Sequence, residues 1–244
     1  MSESITWPDH TGAADRLAAV RERIQRAAET AGRDPGAIQL VAVSKKFPGE
    51  RVLEMAGQGQ LVFGENRIQE AREKIPGVNE RWDGERLTWR MIGHLQRNKV
   101  RHALDCFDTV DSVDSFRLAE ALNTEATRRN RILPVLIEVN VSAESQKSGF
   151  APLHMDEVAE RLPNWDRLRV DGLMTVARHA GDPAHARPDF RGLRSLRDRL
   201  AERWGRELPV LSMGMSHDLE IAVEEGSTMI RVGTALFGPR ENQV

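Results

Sequence analysis

Tyrosine is absent from this 244-residue chain, and cysteine occurs once, at Cys106. A single thiol excludes an internal disulfide, so a reducing cytoplasm is the expected compartment. Long apolar runs are missing too. Residues 135–137 are stopped by Glu138, far short of the roughly 20 residues that a membrane span needs. Residues 1–10 carry no basic side chain ahead of an apolar segment, so no secretory leader is expected. Nor does one sign of charge dominate. With 35 Lys and Arg against 37 Asp and Glu, the formal net charge is −2, which argues against nucleic acid as a partner. No low-complexity tract, short repeat or Pro/Gly/Ser-rich linker divides the chain.

What is present is an alternation of two patterns. Residues 11–31 place Leu17, Val20, Ile24, Ala27 and Ala28 on one helical stripe that ends near Gly32 and Pro35. Short apolar runs rich in β-branched residues then recur at 38–43, 61–63, 88–92, 106–110, 133–139, 168–173, 209–211 and 228–232. Amphipathic stretches such as 115–129, 155–161, 190–204 and 218–225 lie between them. Eight strand candidates, each followed by helical material, predict an α/β fold with a parallel sheet closed into a single (β/α)8 TIM-type barrel. The barrel is expected over 38–238, behind a helix over 11–31, with residues 1–244 forming one domain. A doubly wound open sheet is the rival, and eight regularly spaced units favour closure.

Residues that a core does not want cluster just after the expected strands. Ser44 and Lys45 follow the first, Gly64, Glu65 and Asn66 the second, and Gly93 and His94 the third. Asp111 and Ser112 follow the fourth, Asn140 and Ser142 the fifth, and Met174 and Thr175 the sixth. Gly214, Ser216 and His217 follow the seventh, Gly233 and Thr234 the eighth. In a barrel these ends converge on one face, where such folds carry their sites. Lys45 at that rim suits a Schiff-base former, with Lys46 beside it to lower its pKa by like charge. The plain alternative is a solvated lysine opening a loop. Ser216, Gly233 and Thr234 lie where barrels bind phosphate, after strands seven and eight. The plain alternative there is two glycine turns, with Ser216 capping the helix that starts near Asp218.

Other motifs fail. Gly57-Gln58-Gly59 precedes a strand instead of following one, and no Walker loop or His-Glu-x-x-His pattern exists. Ser216, His217 and Asp218 are adjacent, which excludes triad geometry. His179 and His185 flank a Gly-Asp-Pro segment and read as a surface loop, so no metal is expected. The arginines of 187–203 are interleaved with Asp189, Asp198 and Glu202 and read as a solvated helix face.

Six blocks then stand out together: Val41-Ala42-Val43-Ser44-Lys45, Phe63-Gly64-Glu65-Asn66, and Ile92-Gly93-His94-Leu95-Gln96-Arg97-Asn98-Lys99. Val139-Asn140-Val141-Ser142 with Lys147 and Gly149, Gly172-Leu173-Met174-Thr175, and Met213-Gly214-Met215-Ser216 through Phe237-Gly238 complete the set. In this order they resemble the pyridoxal phosphate homeostasis proteins, over residues 38 to 238. The resemblance implies a monomeric barrel like the N-terminal domain of alanine racemases, the type III fold of pyridoxal 5′-phosphate (PLP) proteins. It implies PLP held on Lys45 as an internal aldimine, with Ser216, Gly233 and Thr234 at the phosphate. Arg231 then matches the arginine facing the pyridine nitrogen, and Asn66 a residue beside the ring. Met174 and Met213 fall in cofactor-contact motifs, and His94 lies near the pocket as an acid/base candidate. Lys46 and Arg90 depart from the commoner threonine and histidine.

The implied function is PLP homeostasis: holding the cofactor, buffering it and delivering it to PLP-dependent apoenzymes. A guanidinium does not surrender its proton, so Arg231 would leave the pyridine nitrogen unprotonated and the ring a weaker electron sink. The absent tyrosine matters here. Alanine racemases use one from a second chain as the acid/base on one face of the substrate, and this chain has none. A low-activity amino-acid racemase is the alternative, with Lys45 and His94 as its bases. A third reading is a cofactor-free class I aldolase that uses Lys45 on a sugar phosphate.

Overall fold

The structure, a computed structural model, describes residues 12–142, 144, 146–178 and 182–238. Eight strands pair in parallel in chain order and close on themselves. They are β1 (Gln39–Val43), β2 (Val62–Glu65), β3 (Thr88–Met91), β4 (Thr109–Val113), β5 (Leu133–Glu138), β6 (Leu168–Met174), β7 (Val210–Ser212) and β8 (Met229–Val232). α1 (Ala13–Thr30) precedes the barrel. After successive strands come α2 (Gly49–Ala56), α3 (Ile68–Arg81), α4 (Val100–Cys106), α5 (Phe116–Arg128), α6 (Met155–Arg161), α7 (Arg187–Trp204), α8 (Leu219–Glu224) and the single turn α9 (Thr234–Phe237).

The strands read as near-continuous apolar runs because both of their faces are covered. One set of side chains packs outward, where Phe63, Trp89, Leu133 and Leu173 meet the helices. The other fills the barrel, where Val41, Leu136, Met174 and Met229 form a separate interior cluster. Closure is made by β8 lying along β1, with Gln39 opposite Met229 and Ala42 opposite Val232. Because α9 is so short, α1 packs against α8, α9 and α2 outside this seam. Arg16 Nε donates to the Leu236 carbonyl at 2.6 Å, and Arg23 Nε meets Glu220 at 2.6 Å.

The expected barrel is therefore present, and the expected strands lie within a few residues of their places. The fourth is displaced: Cys106 ends α4 and β4 starts at Thr109. Cys106 and the buried Phe107, which read as the start of the strand, instead close α4, and Asp108 separates them from β4. As a result Asp111 and Ser112 lie inside β4, and likewise Gly64 and Glu65 end β2 and Met174 ends β6. The solvated-face reading of 187–203 holds for Arg191, Asp198 and Arg203, which are exposed, and fails at Asp189. Asp189 is buried and binds Arg178 at 2.9 Å, Arg187 and Arg191 reach the buried Glu225, and Arg203 bridges to Asp156 on α6. These arginines tie α7 to its neighbours.

Gly172 marks the tightest contact in the sheet. It stands opposite Val210, and a Cβ there would fall 1.8 Å from the Val210 carbonyl oxygen. Backbone cannot yield as a flexible side chain does, so β6 and β7 would have to part. Gly172→Ala is expected to cost about 3 kcal/mol or more. The check is the shift of the denaturant midpoint at unchanged slope.

Candidate functional site

The carboxyl ends of all eight strands open on one face, and closure sets the first beside the last. Lys45, half-buried, lies in the turn after β1, where the Phe47 N–H donates to the Ser44 carbonyl at 3.1 Å. A Cβ on Gly233 would stand 3.3 Å from the Val43 carbonyl, so the loop after β8 rests directly on the end of β1. Thr234 is exposed at the start of α9. The loop after β7 joins them through Gly214, whose carbonyl accepts the Arg231 N–H at 3.1 Å. Gly214 has φ +96°, and a Cβ there would come within 2.4 Å of Ala222, so no other residue fits this turn.

Ser216 follows, half-buried, and Arg23 of α1 donates to its carbonyl at 3.0 Å. The expected Ser216 cap is not what organises this turn. Asp218 does so, its carboxylate accepting the Met215 N–H at 2.6 Å. Burial raises the Asp218 carboxyl above its ordinary value, opposed by that N–H and by Arg231. Lys45, Ser216, Gly233 and Thr234 thus come together at the seam.

Below the mouth the barrel holds a charged layer. Arg231 is 4% exposed and donates to Ser212 Oγ at 2.6 Å and to the Thr175 carbonyl at 2.9 Å. Burial pulls its guanidinium down, against the pull of Asp111, Glu138 and Asp218. Arg90 grips Asp111 through two bonds of 2.7 and 2.9 Å, and Thr109 Oγ1 adds a third at 3.0 Å. Glu138, at the end of β5, is 8% exposed. Met174, opposite Glu138 at the end of β6, packs in the interior cluster. Met213 is fully buried in the outer core, so its side chain packs on the helix side of the sheet.

On the β2–β3 side, Asn66, His94, Arg67, Gln96 and Lys99 border a cavity of about 460 Å³. His94 Nδ1 is 2.7 Å from Asp114 Oδ2, and Ser148 Oγ is 3.4 Å from the same nitrogen. Glu65 is fully buried and accepts at Oε1 from Ser44 Oγ and Lys74 Nζ, both at 2.7 Å. Its carboxyl is raised by burial against the opposing pull of Lys74 and Ser44. Among the described residues, Glu65 Oε2 and Asn66 Oδ1 are the buried side-chain polar atoms without a hydrogen-bond partner.

Of the histidines set aside as a surface loop, His179 lies outside the described residues and His185 is exposed on a 3-10 turn. No group of three metal-ligating side chains occurs among the described residues. Sequence reasoning missed Asp114, Glu138, the Arg90–Asp111 pair and Lys74. Glu138 left one signal, an acid closing an apolar strand.

Glu138 titrates unusually. Burial, helped by Asp114, raises its carboxyl from 4.5 to about 7, with Arg231 and His94 opposing. An acid raised on folding keeps its proton after the unfolded chain has lost it. Its contribution to stability is full below pH 4.5 and is lost as pH rises through about 7. The melting temperature of the ligand-free chain should therefore fall between pH 5 and 8 more steeply than that of Glu138→Gln. Parallel curves would remove Glu138 as the source.

The model of the family described as "Alanine racemase, N-terminal domain" matches residues 16–241. A pyridoxal phosphate homeostasis protein of Aquifex aeolicus is 42% identical over 94% of this chain and 99% of its own length. The protein of that name from Escherichia coli K12 is 39% identical over 93% and 97%. PipY of Synechococcus elongatus, solved without PLP, superposes with a TM-score of 0.83 at 36% identity, covering 93% of this chain and all of PipY. PipY with PLP bound gives a TM-score of 0.78 at 35% identity over the same shares. An alanine racemase from Corynebacterium glutamicum, at 18% identity and a TM-score of 0.67, shares the fold, with 95% of this chain covering 62% of that one. The chain belongs to the alanine racemase N-terminal domain family, and within it to the pyridoxal phosphate homeostasis proteins.

Proposed function

We propose that this chain is one barrel domain that holds pyridoxal 5′-phosphate on Lys45 and buffers or delivers it in the cytoplasm. Working as a monomer, it would hand the cofactor to PLP-dependent apoenzymes. The observation that supports this reading is the seam, where β1–β8 pairing sets the strand end that leads into Lys45 against the Gly233 loop that leads into Thr234. PLP supplies an aldehyde that condenses with a primary amine, together with a phosphate that needs an anion cradle. Lys45 offers the amine, and Ser216 and Thr234 with the backbone around Gly233 offer the cradle. Arg231 is assigned to the pyridine nitrogen, to which a guanidinium only donates. Asn66 is assigned to the ring, and its buried, unpartnered amide oxygen fits a polar group still to come. Met174 and Met213 then support the site from within and behind the barrel wall. The relatives' name and the PLP-bound PipY structure support the same reading.

Borohydride reduction after incubation with PLP, followed by peptide mass mapping, tests it. A phosphopyridoxyl group is expected on Lys45 and lost in Lys45→Ala, which should stay folded. An unmodified Lys45 sinks the attachment, and a phosphosugar trapped there instead points to aldolase chemistry. Ser216→Ala and Thr234→Ala should each weaken PLP binding by about 1.5–3 kcal/mol, the contribution of a charge-assisted hydrogen bond. Unchanged affinity would place the phosphate elsewhere.

A second reading, a low-activity PLP-dependent amino-acid racemase, draws on the His94–Asp114 pair at the mouth. There Asp114 orients the imidazole to accept or donate a proton. Incubating amino acids with the PLP-loaded chain in D2O separates the two. No deuterium at the α-carbon leaves the holder; exchange abolished by His94→Gln favours the racemase.

A further inference from the structure

We propose that Glu70 and Lys74 of α3, with Glu65 at the end of β2, form a clamp that fixes the backbone on both sides of Lys45 and sets the presentation of its amine. The proposal deepens the reading of Lys45 as the attachment point and rests on that reading for its purpose. Its geometry stands by itself. Lys74 Nζ, on a side chain 7% exposed, donates to the Ser44 carbonyl at 2.8 Å, to Glu65 Oε1 at 2.7 Å and to Glu70 Oε1 at 2.9 Å. These three bonds use all three ammonium protons. Glu70 Oε1 in turn accepts the N–H of Lys46. The residue before Lys45 and the residue after it are therefore both tied to α3.

The second tie holds an uncommon conformation. Lys46 has φ +65°, the left-handed region, which a side chain with a Cβ rarely adopts. Among the described residues the only other non-glycine there is Asn130, a type that tolerates it. Strain of this kind persists only where its surroundings enforce it, and it concentrates at functional positions. Here the enforcing group is the Glu70 carboxylate. Ordinary packing of α3 on the sheet would need neither contact with the Lys45 flanks. Nor is the cluster built for stability, since Glu65 is fully buried with Oε2 unpartnered, a costly arrangement.

The test reads the amine without the cofactor. Trace acetic anhydride labelling of the ligand-free chain, quantified by mass spectrometry, gives the reactivity of Lys45 relative to the other lysines. Glu70→Met, which removes the acceptor, is expected to lower it several-fold while the melting curve stays cooperative. Lys74→Met should lower it too, and if that variant fails to fold, Glu70→Met decides. The discriminating step is rescue. Glycine adopts positive φ without strain, so in a Lys46→Gly background Glu70→Met should no longer affect Lys45. In Lys46→Ala, which removes the same charge but keeps the Cβ, the effect of Glu70→Met should persist.

Equal Lys45 reactivity in wild type and Glu70→Met overturns the clamp, as does equal rescue by glycine and alanine. The attachment reading is scored separately. If borohydride leaves Lys45 unmodified while the labelling loss and glycine rescue hold, the attachment falls and the clamp stands. If Lys45 carries the cofactor but labelling is indifferent to Glu70, the clamp falls and the attachment stands.

Discussion

The pairing of β8 with β1 is the constraint on which the rest of this structure depends. Four registered pairs, from Gln39–Met229 to Ala42–Val232, bring the two ends of the barrel sequence into one wall. Without that closure Lys45 and the Gly233–Thr234 loop belong to opposite edges of an open sheet and share no site. The seam is also where the fold has least helix of its own, because α9 is a single turn. α1 makes up the deficit from outside the barrel repeat. Its Arg16 bonds the Leu236 carbonyl and its Arg23 bonds both Glu220 and the Ser216 carbonyl, so one helix braces the segments that follow β7 and β8. A helix that reads in the sequence as an N-terminal addition is thus part of how the site is held.

Below the mouth the interior changes character within one layer. Val41, Leu136, Met174 and Met229 pack as an apolar floor. Arg90, Asp111, Glu138 and Arg231 are buried in the same barrel and carry charge. Burying four ionisable groups does not stabilise a fold by itself, since desolvation opposes the Coulombic gain unless geometry is very good. The Arg90–Asp111 pair meets that condition with two short parallel bonds. Glu138 does not, which is why its carboxyl moves to about 7. The charged layer is therefore better explained by what it offers to the mouth than by what it gives the core.

The barrel was legible because its signals are local: runs of β-branched residues at even spacing, with amphipathic stretches between them. The convergence of the strand ends that carry Lys45, Ser216 and Thr234 on one face was legible too, since barrel topology fixes where strand ends meet. The fourth strand was misplaced because Cys106 and Phe107, apolar residues at the end of α4, read as its start. Ser216 could be read as a cap, yet α8 has no side-chain cap, and the Asp218 carboxylate binds back to the Met215 N–H instead. The Arg90–Asp111 pair and the Glu65–Lys74–Glu70 cluster left no trace. Their partners come from different strands and helices, and no periodicity encodes which charge faces which.

These unread contacts separate holding from turning over. A group fixed at the seam would meet Lys45 on a strained, clamped turn and Arg231 with its proton retained in a buried pocket. Both features favour capture in one geometry. Turnover at an α-carbon needs in addition an acid/base on each face, and a retained guanidinium proton weakens the electron sink that such chemistry uses. Across the mouth the chain offers His94, oriented by Asp114 but more than half exposed, in a sequence with no tyrosine. An exposed imidazole competes with water for every proton it would move. Arg231, buried and doubly bonded, is held rigidly, whereas the acid/base candidate is the loosely held part.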